Sequence, residues 1–421
     1  MEKKLALSVI ESLRNGIPPQ RGTNLYSVGY EKLMEGIKKH HLQGIEDRGV
    51  IRFISGSWGA GKTHFFRLLR DVIFADKCLV SNVELSVNDA PLNKFERVFY
   101  GIIRNVMTPS IYNEDNPTES APFGRVVRES LLNLGKSPSM TSNEINHEAY
   151  SLASQKLMAD ESIDIDFKKM IQKYWETFLP EAADAATQDQ LRAEILQWFS
   201  GEGSIGAYRK RFGINKMINK DNAKLMLQSL AGFVRLSGYR GLVILFDEAE
   251  QSYSIMRKSA LKDAQNNLLS LINNIEAIPG LFLIYATTPE FYTNPKYGIV
   301  IYGALAGRIG KPEDRSPKAL NLIWNLDALE TNIDEYREAA RKIRNIYMTS
   351  YPEDASKIPG EDDVDKFVDV LFDKHPSLSA VRFWRVLVTA LVAHFDDLLE
   401  GDVRDTDKLY GDVMDKLREA E

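Results

Sequence analysis

Gly56-Ser57-Trp58-Gly59-Ala60-Gly61-Lys62-Thr63, followed by His64, fits the pattern G-x-x-x-x-G-K-[ST]. Ahead of it, Ile51-Arg52-Phe53-Ile54-Ser55 is a short apolar run that stops at glycine; behind it, Phe66, Leu69 and Ile73 recur at helical spacing. Strand, tight loop and helix are the context in which this pattern is a polyphosphate cradle. The chemistry asks for these residue types. Glycines let backbone N–H groups curl around phosphate oxygens, and the helix N-terminus adds its positive dipole end. Lys62 reaches the β- and γ-phosphates, and Thr63 offers a hydroxyl to magnesium. Gly56 through His64 are therefore the expected cofactor-binding residues, with ATP and Mg2+ as the ligands.

Working outward, Leu79 to Leu85, Leu242 to Phe246 and Leu281 to Ala286 are further strands of the buried type, separated by helical segments. Strands alternating with helices predict an α/β fold, a parallel P-loop NTPase sheet covered on both faces. Leu242 to Phe246 ends in Asp247-Glu248. On a strand expected next to the phosphate-loop strand, Asp247 would hold the magnesium, directly or through water, and Glu248 would orient and polarise the attacking water. Glu250 has no assigned chemistry. Leu281 to Ala286 runs into Thr287-Thr288-Pro289-Glu290. A polar side chain there, beside Asp247, is placed to sense the γ-phosphate or the lytic water; Thr288 is favoured and Thr287 is the alternative, because Pro289 fixes the turn. Phosphoryl transfer needs further positive charge. Arg308, in Ala304-Leu305-Ala306-Gly307-Arg308-Ile309, is the candidate finger acting on a neighbouring subunit. Arg382 and Arg385, three apart on a helix expected over Ser379 to Ala390, are equal candidates to reach the nucleotide from a C-terminal lid.

The chain between Leu85 and Leu242 is far longer than one crossover helix. It predicts a mostly helical insertion at about 108–200, opening on the turn-rich Pro109 to Pro122 and continuing through Phe167-Met170-Ile171-Trp175-Phe178. After Leu320 to Trp324, read as the last strand, the pattern is helical, broken at Pro352, Pro359-Gly360 and Pro376. The expected division is an ATPase core over 1–328 and a helical lid over 329–421.

The 421 residues carry 53 Lys+Arg against 59 Asp+Glu, a formal charge of −6, which excludes a globally basic, histone-like chain. Cys78 is the only cysteine, so there is no intramolecular disulfide and no Cys-based zinc site; it reads as a packed small hydrophobe. Met1 to Glu11 reads as a short amphipathic helix, and no apolar run approaches the ~18 residues of a membrane span. A cytoplasmic location without membrane contact is expected. One basic cluster stands out: Arg209-Lys210-Arg211 with Lys216, Lys220 and Lys224, and Tyr208 and Phe212 interleaved. It suits either DNA phosphates, contacted without sequence specificity, or a solvated helix face. Trp175 and Trp198 suit an insertion that docks partners.

The combination of phosphate loop, acidic strand end, polar third strand end, later arginine and helical lid resembles an AAA+ ATPase of the origin-recognition type. Asn24 to Leu33 resembles the box that packs on adenine in those ATPases, with Tyr30 in place of their usual arginine; the resemblance implies adenine contacts from Tyr26, Val28 and Gly29. More specifically, Arg21-Gly22, Val83-Glu84-Leu85-Ser86, Asp89-Ala90-Pro91-Leu92, Ser237-Gly238-Tyr239-Arg240-Gly241 and Thr288-Pro289-Glu290-Phe291 are similar to the BrxD-like ATP-binding proteins of bacterial BREX phage-defence systems. That resemblance covers roughly residues 15–310 and weakens in the lid, where setting Phe383-Trp384-Arg385 on the family's Phe-Leu-Arg puts Val381 where a sensor arginine is often found. It implies a Mg-dependent ATP-hydrolysing motor or loader of an anti-phage system, in a homo-oligomer or a hetero-complex with other defence proteins, acting with DNA or with those partners. The alternatives are an ATP-gated switch that recruits partners with little turnover and, from Asp247-Glu248-Ala249-Glu250, a DEAD-like helicase whose other motifs are not evident.

Overall fold

The computed structural model describes residues 2–86, 88–113, 122–136, 145–180, 184–247, 253–376 and 382–419. Helices α1 (Lys3–Arg14) and α2 (Glu31–Ile37) precede strand β1 (Val50–Ser55) and helix α3 (Lys62–Ala75). Strand β2 (Leu79–Glu84), helix α4 (Phe95–Asn105) and the two-residue β3 (Val106–Met107) follow. Helices α5 (Pro109–Asn113), α6 (Pro122–Leu134), α7 (His147–Ala159), α8 (Ile165–Glu176), α9 (Ala185–Phe199) and α10 (Ile205–Phe212) form the insertion before α11 (Ala223–Leu236). Strand β4 (Leu242–Asp247), α12 (Lys258–Asn274), β5 (Leu281–Thr287), α13 (Pro289–Thr293), α14 (Gly303–Ile309) and β6 (Ile323–Asn325) complete the core. The C-terminal layer holds α15 (Ile333–Ser350), α16 (Glu361–Lys374), α17 (Phe383–Glu400) and α18 (Thr406–Glu419).

The described strands form one six-stranded sheet in the order β3-β2-β4-β5-β1-β6, with every pairing parallel except β2 with β3. This corrects one expectation: the acidic strand β4 is not next to the phosphate-loop strand, because β5 runs between them. The sheet is apolar on both faces with the two-residue period that the pleat demands. Ile54, Val80, Val243, Leu245, Phe282 and Ile284 pack on Phe65, Phe66, Leu69 and Ile73 of α3. The alternate residues, including Phe53, Val83, Leu242, Ile244 and Leu283, pack on the other side in the same cluster as the insertion.

Trp175 and Trp198 belong to that cluster, and both are 0% exposed. Each indole N–H is used inside the fold, Trp175 donating to Val127 O at 2.8 Å and Trp198 to Lys216 O at 3.1 Å. They are core residues and present no docking surface. Cys78 is fully buried, and burial, reinforced by Asp76, pushes its thiol up to about 12, in keeping with a packing role.

Two elements differ from the sequence expectation at the edges. The last strand is Ile323–Asn325; Leu320, expected within it, lies 65% exposed in the preceding turn. The N-terminal helix, grouped with the core by its position in the chain, packs with the C-terminal helices: Ala6, Val9, Ile10 and Leu13 share a cluster with Ile343, Tyr347, Leu391 and Leu417. Arg14 seals that joint through Asp396 with bonds of 2.7 and 2.8 Å. Among the described residues no helix is long and apolar enough to cross a membrane.

Candidate nucleotide site

The loop between β1 and α3 takes the shape its glycines permit. Gly59 and Gly61 have φ of 75° and 87°, the left-handed region that a side chain resists. The loop is anchored to the neighbouring strand end, Gly56 N donating to Thr287 O at 3.1 Å. Lys62 Nζ turns back on the loop and donates to Gly56 O at 2.8 Å and Ser57 O at 3.3 Å. A cation that spends its donors on two backbone carbonyls is available to an anion entering the loop. Thr63 is exposed at the start of α3.

Sheet register brings the other strand ends to the same edge. Ser55 of β1 pairs with Thr287 of β5, and Phe246 of β4 pairs with Tyr285. The carboxyl ends of an open parallel sheet are where such folds bind ligands. Asp247 lies at that edge, half-buried, and Arg67 of α3 acts on it electrostatically. Glu248, and with it Glu250, lies outside the described residues. The two threonines after β5 differ. Thr287 is buried and committed, donating to Ile54 O at 2.7 Å and bonded to the Tyr292 hydroxyl at 2.9 Å. Thr288 starts α13, is 8% exposed, and its hydroxyl bonds to no described residue.

The segment Thr23 to Tyr30 runs from the C-terminal layer to the loop. Tyr26 and Val28 are buried. The Tyr26 hydroxyl lies 3.3 Å from His64 Nδ1, and the Ser27 hydroxyl lies 2.9 Å from His64 Nε2. Burial, aided by Arg67, pushes the His64 imidazole down to about 4, so the ring is neutral at pH 7. Gly29 has φ 82° and faces the Glu335 carboxylate, while Lys342 Nζ donates to Ser27 O at 3.2 Å. Tyr30, at the position of the expected arginine, lays its hydroxyl against Gly61. The box thus packs between α3 and the first lid helix, α15.

Of the two lid arginines, the fold brings Arg382 to the loop. Its side chain lies over Gly59, and its guanidinium donates to Asp327 Oδ1 at 2.6 Å. Asp327 Oδ2 in turn accepts from Ser57 N at 2.8 Å and Ser57 Oγ at 2.7 Å. Arg385 is half-buried in the first turn of α17, and Val381 lies outside the described residues. Arg308 stands apart at the end of α14, exposed, with no side-chain bond to a described residue.

Sequence reasoning missed Asp327, Arg67 and the pairing of Ser27 with His64. Asp327 has no motif of its own; the one available signal was its place just past the last strand. Arg67 lies little more than one turn beyond Lys62 on the same helix and was legible from spacing alone.

Sheet order and loop together define a P-loop NTPase of the AAA+ type. The model of the family described as "BREX system ATP-binding protein BrxC/D" matches residues 1–413, and the chain belongs to that family of ATP-binding defence-system proteins. No curated protein and no solved structure matches the chain.

Proposed function

We propose that the chain is a Mg-dependent ATPase whose hydrolysis drives a motor or loader step of the BREX defence system, in an assembly with further copies of itself or with the system's other proteins. The observation that carries this reading is the strand order. With β5 between β1 and β4, a gap one strand wide separates the phosphate loop from the end of β4 at Asp247, which leaves room for a water in line with the γ-phosphate. Lys62 holds the β- and γ-phosphates, and the amides of Gly59 to Thr63 cradle them. Thr63 and Asp247 are the pair that would hold magnesium, which takes one or two protein oxygens and keeps the rest of its shell for water and phosphate. When bound, that ion screens the charge building between the β- and γ-phosphates. Glu248 accepts the proton of the attacking water, Thr288 orients the water or the γ-phosphate, and Arg382 balances charge from the lid.

Tyr26, Val28 and Gly29 take the adenine. Arg308 serves a neighbouring subunit: it is exposed, and its side chain bonds to no described residue. The test is steady-state ATP hydrolysis by the purified chain and by Glu248→Gln, with and without duplex DNA at one fixed salt concentration. Turnover abolished by Glu248→Gln supports the motor. Tight ATP binding with negligible turnover under every condition replaces it with a nucleotide-gated switch.

A further inference from the structure

The basic cluster of α10, the loop after it and the start of α11 is sorted by the fold. Arg211 pairs with Glu194, and Lys224 turns inward to Ser270 Oγ at 2.9 Å, its ammonium over the Phe95 ring. Arg209, Lys210, Lys216 and Lys220 remain exposed, and their side chains bond to no described residue. Over Ile205 to Asn222 there are five cations (Arg209, Lys210, Arg211, Lys216, Lys220) and one acid (Asp221), a net 5 − 1 = +4 on a chain of net −6.

The backbone beneath these cations is held from inside. Asp166, 2% exposed, accepts from Asn215 N and Lys216 N at 3.0 Å each. Lys169 Nζ donates to Gly213 O at 2.9 Å, the Trp198 indole to Lys216 O at 3.1 Å, and Tyr100 Oη to Ile218 O at 2.7 Å. Ile214 and Ile218 are buried between the outward lysines. A merely solvated loop has no need of this bracing; a pinned one presents charges without a further ordering cost on binding.

The surface also shows which partner it suits. Tyr208 and Phe212 are buried, so no exposed ring on this segment stacks on unpaired bases, as single-strand binders require. None of the large exposed apolar residues falls between Ile205 and Asn222, so the segment lacks the apolar centre of a protein interface. Phosphates need only cations and polar donors, which Asn215 and Asn219 add. We infer that this ridge docks the phosphate backbone of duplex DNA without reading its sequence.

The experiment is fluorescence anisotropy of a labelled random-sequence duplex with the full chain, without nucleotide, across a salt series. Leaving nucleotide out keeps failure here separate from failure of the ATPase reading. Each neutralised phosphate contributes about 0.9 to the slope of log K against log salt, so the quadruple variant R209A/K210A/K216A/K220A should flatten that slope by roughly 3 to 4 and weaken binding at least ~10-fold at low salt. The pair Lys38→Ala/Lys39→Ala, exposed lysines outside the insertion, should leave both unchanged. All four ridge side chains are exposed, and circular dichroism checks that the variant folds. An unchanged slope and affinity in the quadruple variant overturns the inference. So does tighter binding of the single strand, or capture of polyglutamate with no affinity for the duplex, which would mean an acidic protein partner.

Discussion

Arg382 reaches the phosphate loop through Asp327: the guanidinium donates to one carboxylate oxygen at 2.6 Å, and the other oxygen accepts from both the amide and the hydroxyl of Ser57. One carboxylate therefore ties the lid to the first residue after Gly56. Arg382 is 44% exposed and Asp327 21%, so the pair adds no more than ~1 kcal/mol to the fold, and its consequence lies in where it holds the guanidinium. Arg382→Ala should weaken ATP binding or turnover about tenfold, the order of one charge-assisted hydrogen bond, with the melting temperature little changed. Arg385→Ala should act less on nucleotide. Fluorescent-nucleotide titration of both variants checks the order.

Lys62 makes two bonds to backbone carbonyls of its own loop. Lys62→Ala should leave thermal stability within about 0.5 kcal/mol, as a partly exposed side chain without buried dependants does. ATP affinity should fall at least tenfold by calorimetric titration. Unchanged affinity would contradict the phosphate-loop assignment.

The adjacent threonines should separate by readout. Thr287→Ala removes the two hydrogen bonds of a fully buried hydroxyl, to Ile54 O and to the Tyr292 hydroxyl, a loss of about 1–3 kcal/mol in urea unfolding. Thr288→Ala removes a hydroxyl that no described residue uses, so stability should hold while kcat falls. If Thr288→Ala leaves kcat untouched, Thr288 has no part in sensing.

Two histidines set an acid limit. His41 and His64 are each pushed from 6.5 down to about 4, chiefly by burial. His41 is fully enclosed: Nε2 is 2.7 Å from Ala319 O, and Phe282 and Trp324 flank the ring. Below pH 6.5 the unfolded chain takes up protons that the fold refuses, so stability falls as pH drops and continues to fall until about 4. Above 6.5 these groups add no pH dependence. At about pH 5.5 each should cost about 1.4 kcal/mol relative to about pH 8. Urea unfolding at the two pH values measures these two together with His394, whose imidazole burial also lowers, and His64→Gln should remove about 1.4 kcal/mol of the difference.

How much of this was readable in the chain follows from the range of each interaction. The loop, its strand and its helix are a local matter: glycines that permit positive φ, an apolar run before them and a helical apolar spacing after them all fall within one continuous stretch. The buried strands were legible for the same reason, and so was the lone thiol's packing role. Element edges were less so, since Leu320 is as apolar as its neighbours yet lies in a turn.

What the amino-acid sequence determined by itself is therefore the set of elements and the residue types they carry: glycine-rich loop, acidic strand end, polar strand end, C-terminal helices. Their arrangement was decided by the tertiary structure. Nothing in β4 or β5 alone says which of them pairs with β1, because both are uniformly apolar and order depends on how the crossover helices pack. Nothing in Arg382 and Arg385 distinguishes them until Asp327, more than fifty residues away in the chain, binds one. The burial of Trp175 and Trp198, the splitting of the basic cluster into inward and outward cations and the docking of α1 on the C-terminal helices have the same cause. Each depends on partners distant in sequence, and only a packed chain brings those together.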